Sequence, residues 1–329
     1  MKAIRSIPFL LGFLCVGVQG VRAVQPAPPD APRQVTIEMY LVDLVEIDGS
    51  EQTFFADVFI AATWRDSTLA SPGAGVRTVP RSDVWSPTLL IVNERDVSSS
   101  LPDVVQIDAA GNVQHSMRLT GDFSARMDLR DFPRDHQRFN IWVVAPPLGG
   151  VVVDLIPSAS IARLRADTLS ISDWNLGEFG LVEREYSATP RANVVSGVSL
   201  FFEADRKLGY YIIQVLLPVT AVVLMAWAVF WIDPGIVPTR VGVVVTTMLT
   251  LIAYRFMLGD LVPRLSYLTR LDYYLLWSTT LVVMTLGAMA ATNFMKVRER
   301  DDLVRIVDWT GRAGYPLVMG LLTLIVWVL

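Results

Sequence analysis

The amino-acid sequence predicts an all-β, immunoglobulin-like sandwich of about ten strands, followed by a bundle of four transmembrane helices. Hydrophobic residues make up 52% of the 329 residues and charged residues only 18%, whereas soluble domains carry roughly 25% charged residues. The apolar residues also change their spacing near residue 206. Before that point they form short alternating runs broken by turn residues, and after it they form long apolar stretches. The sequence therefore predicts one water-facing domain and one lipid-embedded domain.

Residues 1–23 are predicted to be a secretory signal peptide, because Lys2 and Arg5 precede an apolar stretch over Ile7–Val18. Residues 24–33 contain repeated prolines and are predicted to be a linker that does not fold by itself.

Residues 34–207 are predicted to form the β-sandwich outside the cytoplasm. In Gln52–Trp64, for example, Phe55, Asp57 and Phe59 fall on one face of a strand. A turn over Ala110–Asn112 separates two further runs, which is a hairpin signal. Short strands at this spacing are typical of antiparallel sheets packed face to face.

Residues 208–329 are predicted to form the transmembrane domain, with spans at about 208–232, 241–260, 271–294 and 309–329. A cleaved signal peptide would place the β-domain outside, which leaves the loops 233–240 and 295–308 in the cytoplasm. Lys and Arg residues cluster in and after the second loop, and this agrees with the excess of positive charge in cytoplasmic loops.

The second span carries a stripe of residues at helical spacing. Its members are Gly242, Thr246, Leu249, Ala253, Phe256 and Asp260. The stripe is small or polar at its cytoplasmic end, apolar in the middle and acidic at its outer end. Two interpretations are open: the stripe lines a pore formed by several subunits, or its Gly and Thr residues permit close helix packing.

Composition excludes several other classes of function. A net charge of −4 argues against a nucleic-acid partner. Two histidines and one cysteine cannot form a His/Cys zinc cluster, and the chain has neither a P-loop nor a G-x-S-x-G motif. We therefore expect no enzyme activity, no cofactor and no metal site.

Several motifs occur in an order that resembles the pentameric ligand-gated ion channels. They are Trp64-Arg65-Asp66, Trp85-Ser86-Pro87, the loop Leu129–Gln137, Pro218 and the pore-helix segment Val237–Thr250. The pore helix is most similar to that of the glycine and GABA-A receptor branch. The short linker between the third and fourth spans, and Phe139 in place of a cysteine, resemble the bacterial members.

The resemblance implies an assembly with four further identical subunits, a homopentamer around a central pore in the inner membrane, surrounded by membrane lipid. It also implies an agonist site between subunits of the outer domain. At the cytoplasmic mouth, Pro238, Thr239 and Arg240 stand where cation-passing members carry a glutamate, so an anion such as chloride is the expected permeant ion. Arg240 has a second interpretation, as a cytoplasmic anchor outside the ion path. The alternatives to an anion channel are a cation channel opened by protons or a small ligand, and a receptor that binds ligand without conducting.

The resemblance further predicts how the two domains communicate. Arg206 should pair with Asp135 and with an acid of the first turn, either Asp48 or Glu51, while Pro263 receives the motion.

The predicted agonist pocket includes an aromatic residue on a strand, two positions where further aromatics would be expected, and two aromatics near the capping loop. These residues are Phe59, Val92, Pro146, Phe179 and Tyr186. Because Val92 and Pro146 are not aromatic, a quaternary-ammonium agonist is disfavoured. The stimulus is expected to be another small molecule or protons.

Overall fold

The computed structural model describes residues 34–73, 75–147, 151–158, 163–187, 194–258 and 265–327. The predicted signal peptide, the Pro-rich linker, Asp260 and Pro263 lie outside these ranges.

Within these ranges the N-terminal part of the chain is a sandwich of two β-sheets, as the sequence predicts. The strands are β1 Gln34–Asp48, β2 Thr53–Arg65, β3 Arg77–Pro80, β4 Leu90–Ile91, β5 Glu94–Ser99, β6 Val104–Ile107, β7 Asn112–Ser124, β8 His136–Val144, β9 Asp154–Pro157, β10 Trp174–Glu183 and β11 Gly197–Arg206. The first sheet has the order β3-β6-β7-β2-β1-β9, with β5 also paired to β7, and the second has the order β10-β11-β8-β4. All pairs are antiparallel except β1 with β9.

The two sheets are joined by a cluster of aromatic rings. Phe54 and Phe123 come from the first sheet, and Phe139 and Phe202 from the second. The Phe54 ring lies 5.3 Å from that of Phe139 and 5.5 Å from that of Phe202, in edge-on contacts worth about 0.5–1.5 kcal/mol each beyond area burial. Phe139 therefore stabilises the sandwich by packing between the two sheets.

The C-terminal part of the chain is helical. We number its helices α1 Gly209–Trp231, α2 Val237–Leu258, α3 Arg270–Val297 and α4 Asp301–Trp327. Within the described residues, α1, α2 and α3 are long and apolar enough to cross a membrane. The predicted fourth span falls in α4, whose first half carries several charged residues, and its crossing of the membrane stays a prediction.

Both predicted cytoplasmic loops are shorter than expected. Helix α2 begins at Val237, so Pro238, Thr239 and Arg240 belong to its first turn, where the fixed backbone angle of proline suits a helix start. Only residues 298–300 separate α3 from α4. The predicted loop bounds followed the ends of the apolar stretches. The helices extend further, because acidic residues at the start of α4 and Lys296 at the end of α3 interact favourably with the helix dipoles.

Candidate functional site

The face of α2 that carries the predicted stripe is open in the single chain. Gly242, Thr246, Leu249, Ala253 and Phe256 are all exposed, and the exposed fraction reaches 63% for Leu249 and 80% for Phe256. The structure thus brings five of the six predicted residues onto one surface that no other part of the described chain covers.

The opposite face of α2 packs against α1 and α3. Its buried residues are Arg240, Val244, Thr247, Leu251 and Leu258. Large apolar side chains on the open face, against a well-packed opposite face, indicate a surface that meets another molecule or another subunit.

Helix α2 is also fixed to α1 near its C-terminal end. Pro218 has no N–H to donate to the carbonyl of Gln214 four residues earlier. That carbonyl accepts a hydrogen bond from the Tyr254 hydroxyl of α2. The Gln214 carbonyl, which lacks the N–H of Pro218 as a donor, therefore connects the two helices.

In the first turn of α2, the three residues predicted to set selectivity point in different directions. Pro238 and Thr239 are exposed. The Arg240 side chain is only 2% exposed and its Nη2 lies 2.7 Å from Oδ2 of Asp308 on α4. Of the two interpretations of Arg240, this geometry favours the one outside an ion path, because the guanidinium is turned into the protein and paired with Asp308 there.

The junction between the sandwich and the helices contains a buried ion pair between Arg206 and Asp135. Arg206 Nε and Nη2 donate to the two carboxylate oxygens at 2.8 and 3.2 Å. The Gln137 amide donates to the same carboxylate at 3.0 Å. Burial alone would lower the pKa of Arg206, but the hydrogen bonds and charge of Asp135 outweigh it and hold that pKa above its ordinary value.

Aromatic rings surround the Arg206 guanidinium. Its carbon atom lies 4.2 Å from the ring centre of Trp174, 5.0 Å from that of Phe132 and 5.9 Å from that of Tyr211 on α1. Phe132 and Tyr211 also contact each other edge-on at 5.1 Å. The predicted pairing of Arg206 with Asp135 is therefore present, within a site that joins strand β11, the loop before β8 and helix α1.

The predicted contact of Arg206 with an acid of the first turn, Asp48 or Glu51, is wrong. The Asp48 carboxylate accepts hydrogen bonds from the Ser50 and Glu51 amides of its own turn, at 2.7 and 3.1 Å. These bonds outweigh the opposing effect of burial and lower the pKa of Asp48. Glu51 instead pairs with Arg95, at 3.5 Å.

The loop Asp128–Asp135 also contacts the start of α3, which the sequence analysis missed. Asp131 accepts a hydrogen bond from Arg270 Nε at 2.7 Å. The Arg130 carbonyl accepts from the Arg270 amide at 3.0 Å. The amide of Leu129 donates to the Tyr267 hydroxyl oxygen at 3.0 Å. A basic residue at the start of the third span, opposite an acidic loop, was the only signal in the sequence.

The predicted agonist-pocket residues lie on two different sheets and do not meet within one chain. Phe59 is half-buried on β2 of the first sheet, whereas Phe179 belongs to the second sheet and stacks on Phe202 at 5.6 Å. Tyr186 contacts Trp142 at 6.4 Å between ring centres. Val92 and Pro146 are half-buried beside the same second sheet, and the Val92 amide donates to the Trp142 carbonyl.

Arginine side chains cover the ring faces in this region. Arg184 lies 4.4 Å from the ring centre of Trp142, and Arg165 lies 5.0 Å from that of Phe179.

A groove of about 810 Å³, which the sequence did not predict, lies beside Arg184. Its lining includes Ala145, Asp154, Glu183, Arg184, Glu185 and Val195. The ring faces of Trp142 and Phe179 already contact cations, and the groove carries charges of both signs.

Both histidines of the chain contact carboxylates. His136 Nδ1 lies 2.8 Å from Asp205, and its Nε2 lies 3.7 Å from Glu203. His115 is buried with its Nε2 3.3 Å from Asp103, which also binds Arg81 at 2.8 Å. Burial and the charge of Arg81 lower the pKa of His115 despite the opposing effect of Asp103.

A strand-rich N-terminal domain, joined through a buried ion pair to apolar helices of which one has an open stripe, matches the organisation expected of a membrane receptor of the ligand-gated channel class. Comparison with known proteins agrees. The family models described as "Neurotransmitter-gated ion-channel ligand binding domain" and "Neurotransmitter-gated ion-channel transmembrane region" match residues 21–143 and 215–327. The chain therefore belongs to the neurotransmitter-gated ion-channel family, the pentameric ligand-gated channels, and it is not an enzyme.

Two relatives illustrate the range of this family. The chain is 22% identical to a proton-gated ion channel of Gloeobacter violaceus over 334 aligned positions, which cover 99% of the chain and 91% of that protein. It is 24% identical to a gamma-aminobutyric acid receptor beta subunit of Lymnaea stagnalis over 318 positions. That match covers 86% of the chain and 62% of the length of the subunit.

Proposed function

We propose that this chain forms a homopentameric, anion-selective channel whose pore is lined by five copies of the α2 stripe. The open face of α2 carries this proposal, since large apolar residues such as Leu249 and Phe256 are exposed in the single chain. Five such faces around an axis would enclose a path with an apolar constriction at Leu249. The β-sandwich would face the periplasm, and all four helices would span the inner membrane.

Selectivity for an anion such as chloride is supported by the residues that are exposed at the proposed cytoplasmic mouth. Pro238 and Thr239 are the exposed residues of the first turn, and neither carries a charge. The amides at the start of α2 give this end of the helix a partial positive charge. Arg240 adds nothing to it, because Asp308 neutralises its charge inside the protein.

A recording from purified protein in a planar bilayer under a potassium chloride gradient tests this proposal. An anion channel reverses near the chloride equilibrium potential. Reversal near the potassium potential would show that the channel passes cations instead.

A pair of glutamate variants tests the role of the mouth. Thr239→Glu places five carboxylates at the exposed first turn of α2 and should move the reversal potential towards that of potassium. Val297→Glu adds the same charges at the end of α3, where Val297 is 78% exposed, and should leave the reversal potential unchanged. Equal shifts in both variants would mean that general surface charge, and not the mouth, sets selectivity.

The stimulus is proposed to be a small ligand or a change of pH that acts on the outer domain. The groove beside Arg184 supports a ligand, whereas the similarity to a proton-gated ion channel supports a response to protons. Stepping the outer pH, and then adding amino acids and other zwitterionic solutes, separates the two. Ligand binding without any current would favour a non-conducting receptor.

A further inference from the structure

The most completely buried long polar side chain of the described helices is on the pore helix. Arg240 is 2% exposed, and its partner Asp308 on α4 has a side chain that is 7% exposed. The stripe and Arg240 lie on opposite faces of α2. The proposed ion path therefore has no contact with this charge.

The pair is incompletely satisfied. Nη1 of Arg240 and Oδ1 of Asp308 have no hydrogen-bond partner among the described residues, although both atoms are buried. Removing either residue leaves the other as an uncompensated buried charge, so the position of one strongly constrains the position of the other.

Asp308 contacts the first turn of α2 directly and, through Arg240, the segment between α1 and α2. Arg240 Nε donates to the Ile232 carbonyl of that segment at 2.9 Å while its Nη2 binds Asp308. Four residues further along α4, Arg312 Nε donates to the Phe230 carbonyl at 2.9 Å. Residues four apart lie on one face of a helix. One face of α4 therefore holds both the end of α1 and the first turn of α2.

We propose that Asp308 is a positioning residue for the cytoplasmic mouth of the pore. Through Arg240 it fixes the rotation of the first turn of α2, and this rotation decides how Thr239 and Pro238 face the axis. A helix that does not line the path thereby sets ion selectivity and the stimulus needed for opening. The inference rests on the proposed function, because it requires α2 to line a conducting pore.

Neutralising each partner separately distinguishes this role from a role of Arg240 as a charge in the ion path. If Arg240 attracted anions directly, Arg240→Gln would move the reversal potential towards potassium and Asp308→Asn would not. The positioning role predicts that both variants shift the half-activating stimulus in the same direction, by about tenfold. The double variant should be no worse than either single variant, because both break the same contact.

The controls keep the test decisive. Asp302→Asn makes the same change at an exposed site on the same helix and should behave like the native channel. If Asp308→Asn fails to yield pentamers on a native gel, Asp308→Glu keeps the charge, displaces it by one methylene and should shift the half-activating stimulus in the same direction. The exchanged pair Arg240→Asp with Asp308→Arg should recover part of the native response.

Two failures have different meanings. A native protein that gives no current would refute the proposed function itself. A conducting native protein with an unchanged Asp308→Asn response, or with additive effects of Asp308→Asn and Arg240→Gln, would refute the positioning role alone.

Discussion

The two buried Arg–Asp pairs of the described residues differ in how completely they are satisfied. Arg206 and Asp135, at the junction with the sandwich, share two hydrogen bonds, and three aromatic rings surround the guanidinium. Arg240 and Asp308, at the opposite end of the helices, share one hydrogen bond of 2.7 Å and leave an atom of each side chain without a partner. Buried charges are costly unless every polar atom is paired.

This difference suggests different roles. The Arg206 pair is a fixed structural connection between the sandwich and the helices, and removing either partner should stop signalling. The Arg240 pair is less completely hydrogen-bonded, so changes to it should adjust the pore and leave it working. The predictions below test this contrast.

The largest effect is expected from Arg206→Ala. The variant leaves Asp135 as an unpaired buried carboxylate, which costs about 3–5 kcal/mol locally. Currents should be lost while the protein still inserts in the membrane, as checked by recording alongside surface labelling. Arg163→Ala is the matched control, because Arg163 forms only an exposed pair with Asp167. Normal gating in Arg206→Ala would end the claim that this pair couples the domains.

The next effect is expected midway between the two pairs, at Leu249. Leu249→Ser replaces five apolar side chains at one level of the proposed pore and should allow water into the constriction. Spontaneous current or a lower half-activating stimulus should result. Leu321→Ser on α4, at a leucine of similar exposure, should gate normally. Unchanged gating in Leu249→Ser would place the barrier elsewhere, with Phe256 as the next candidate.

Arg206→Lys and Arg240→Lys compare the two ion pairs under the same conservative change. Lysine cannot make the two-point contact or the ring stacking of arginine. Arg206→Lys should therefore raise the half-activating stimulus more than Arg240→Lys does, since only Arg206 uses both features. Equal shifts in concentration–response curves would show that the two pairs are energetically alike.

The smallest effect concerns the pH dependence of stability. Burial and Arg81 lower the pKa of His115 in the folded protein below its ordinary 6.5. The unfolded chain therefore takes up this proton first, and the free energy of unfolding should fall as the pH drops below that value. Thermal unfolding of the full-length protein in detergent measures this between about pH 7.5 and pH 5. His115→Gln should show a smaller decrease, and an identical decrease would assign the acid sensitivity to other groups.

The sequence predicted the fold and the stripe because both depend on periodicity. Alternation over β2 marks the side chains that face the core of the sandwich. Helical spacing from Gly242 to Phe256 marks the face of α2 opposite to its buried residues. The pairing of Arg240 could not be read in this way. It depends on Asp308, 68 positions away in the chain, which comes close only after the helices pack.

The same limit explains the error at Asp48 and Glu51. Their proximity to Arg206 was inferred from the family, whereas hydrogen bonds within the turn occupy Asp48 and the contact with Arg95 occupies Glu51. Contacts of Asp131 with Arg270 were missed for the opposite reason, because no local pattern marks a pair that forms across two domains.

Cysteine accessibility along α2 tests the central claim most directly. The only cysteine of the chain is Cys15, inside the predicted signal peptide, so single cysteines can be introduced without a background signal. In the pentamer, a hydrophilic thiol reagent should alter current in variants at Gly242, Thr246 and Ala253. It should have no effect in variants at Val244 and Leu251, which are buried against the neighbouring helices. Modification at Val244 and Leu251 with none along the stripe would show that this face of α2 does not line the ion path.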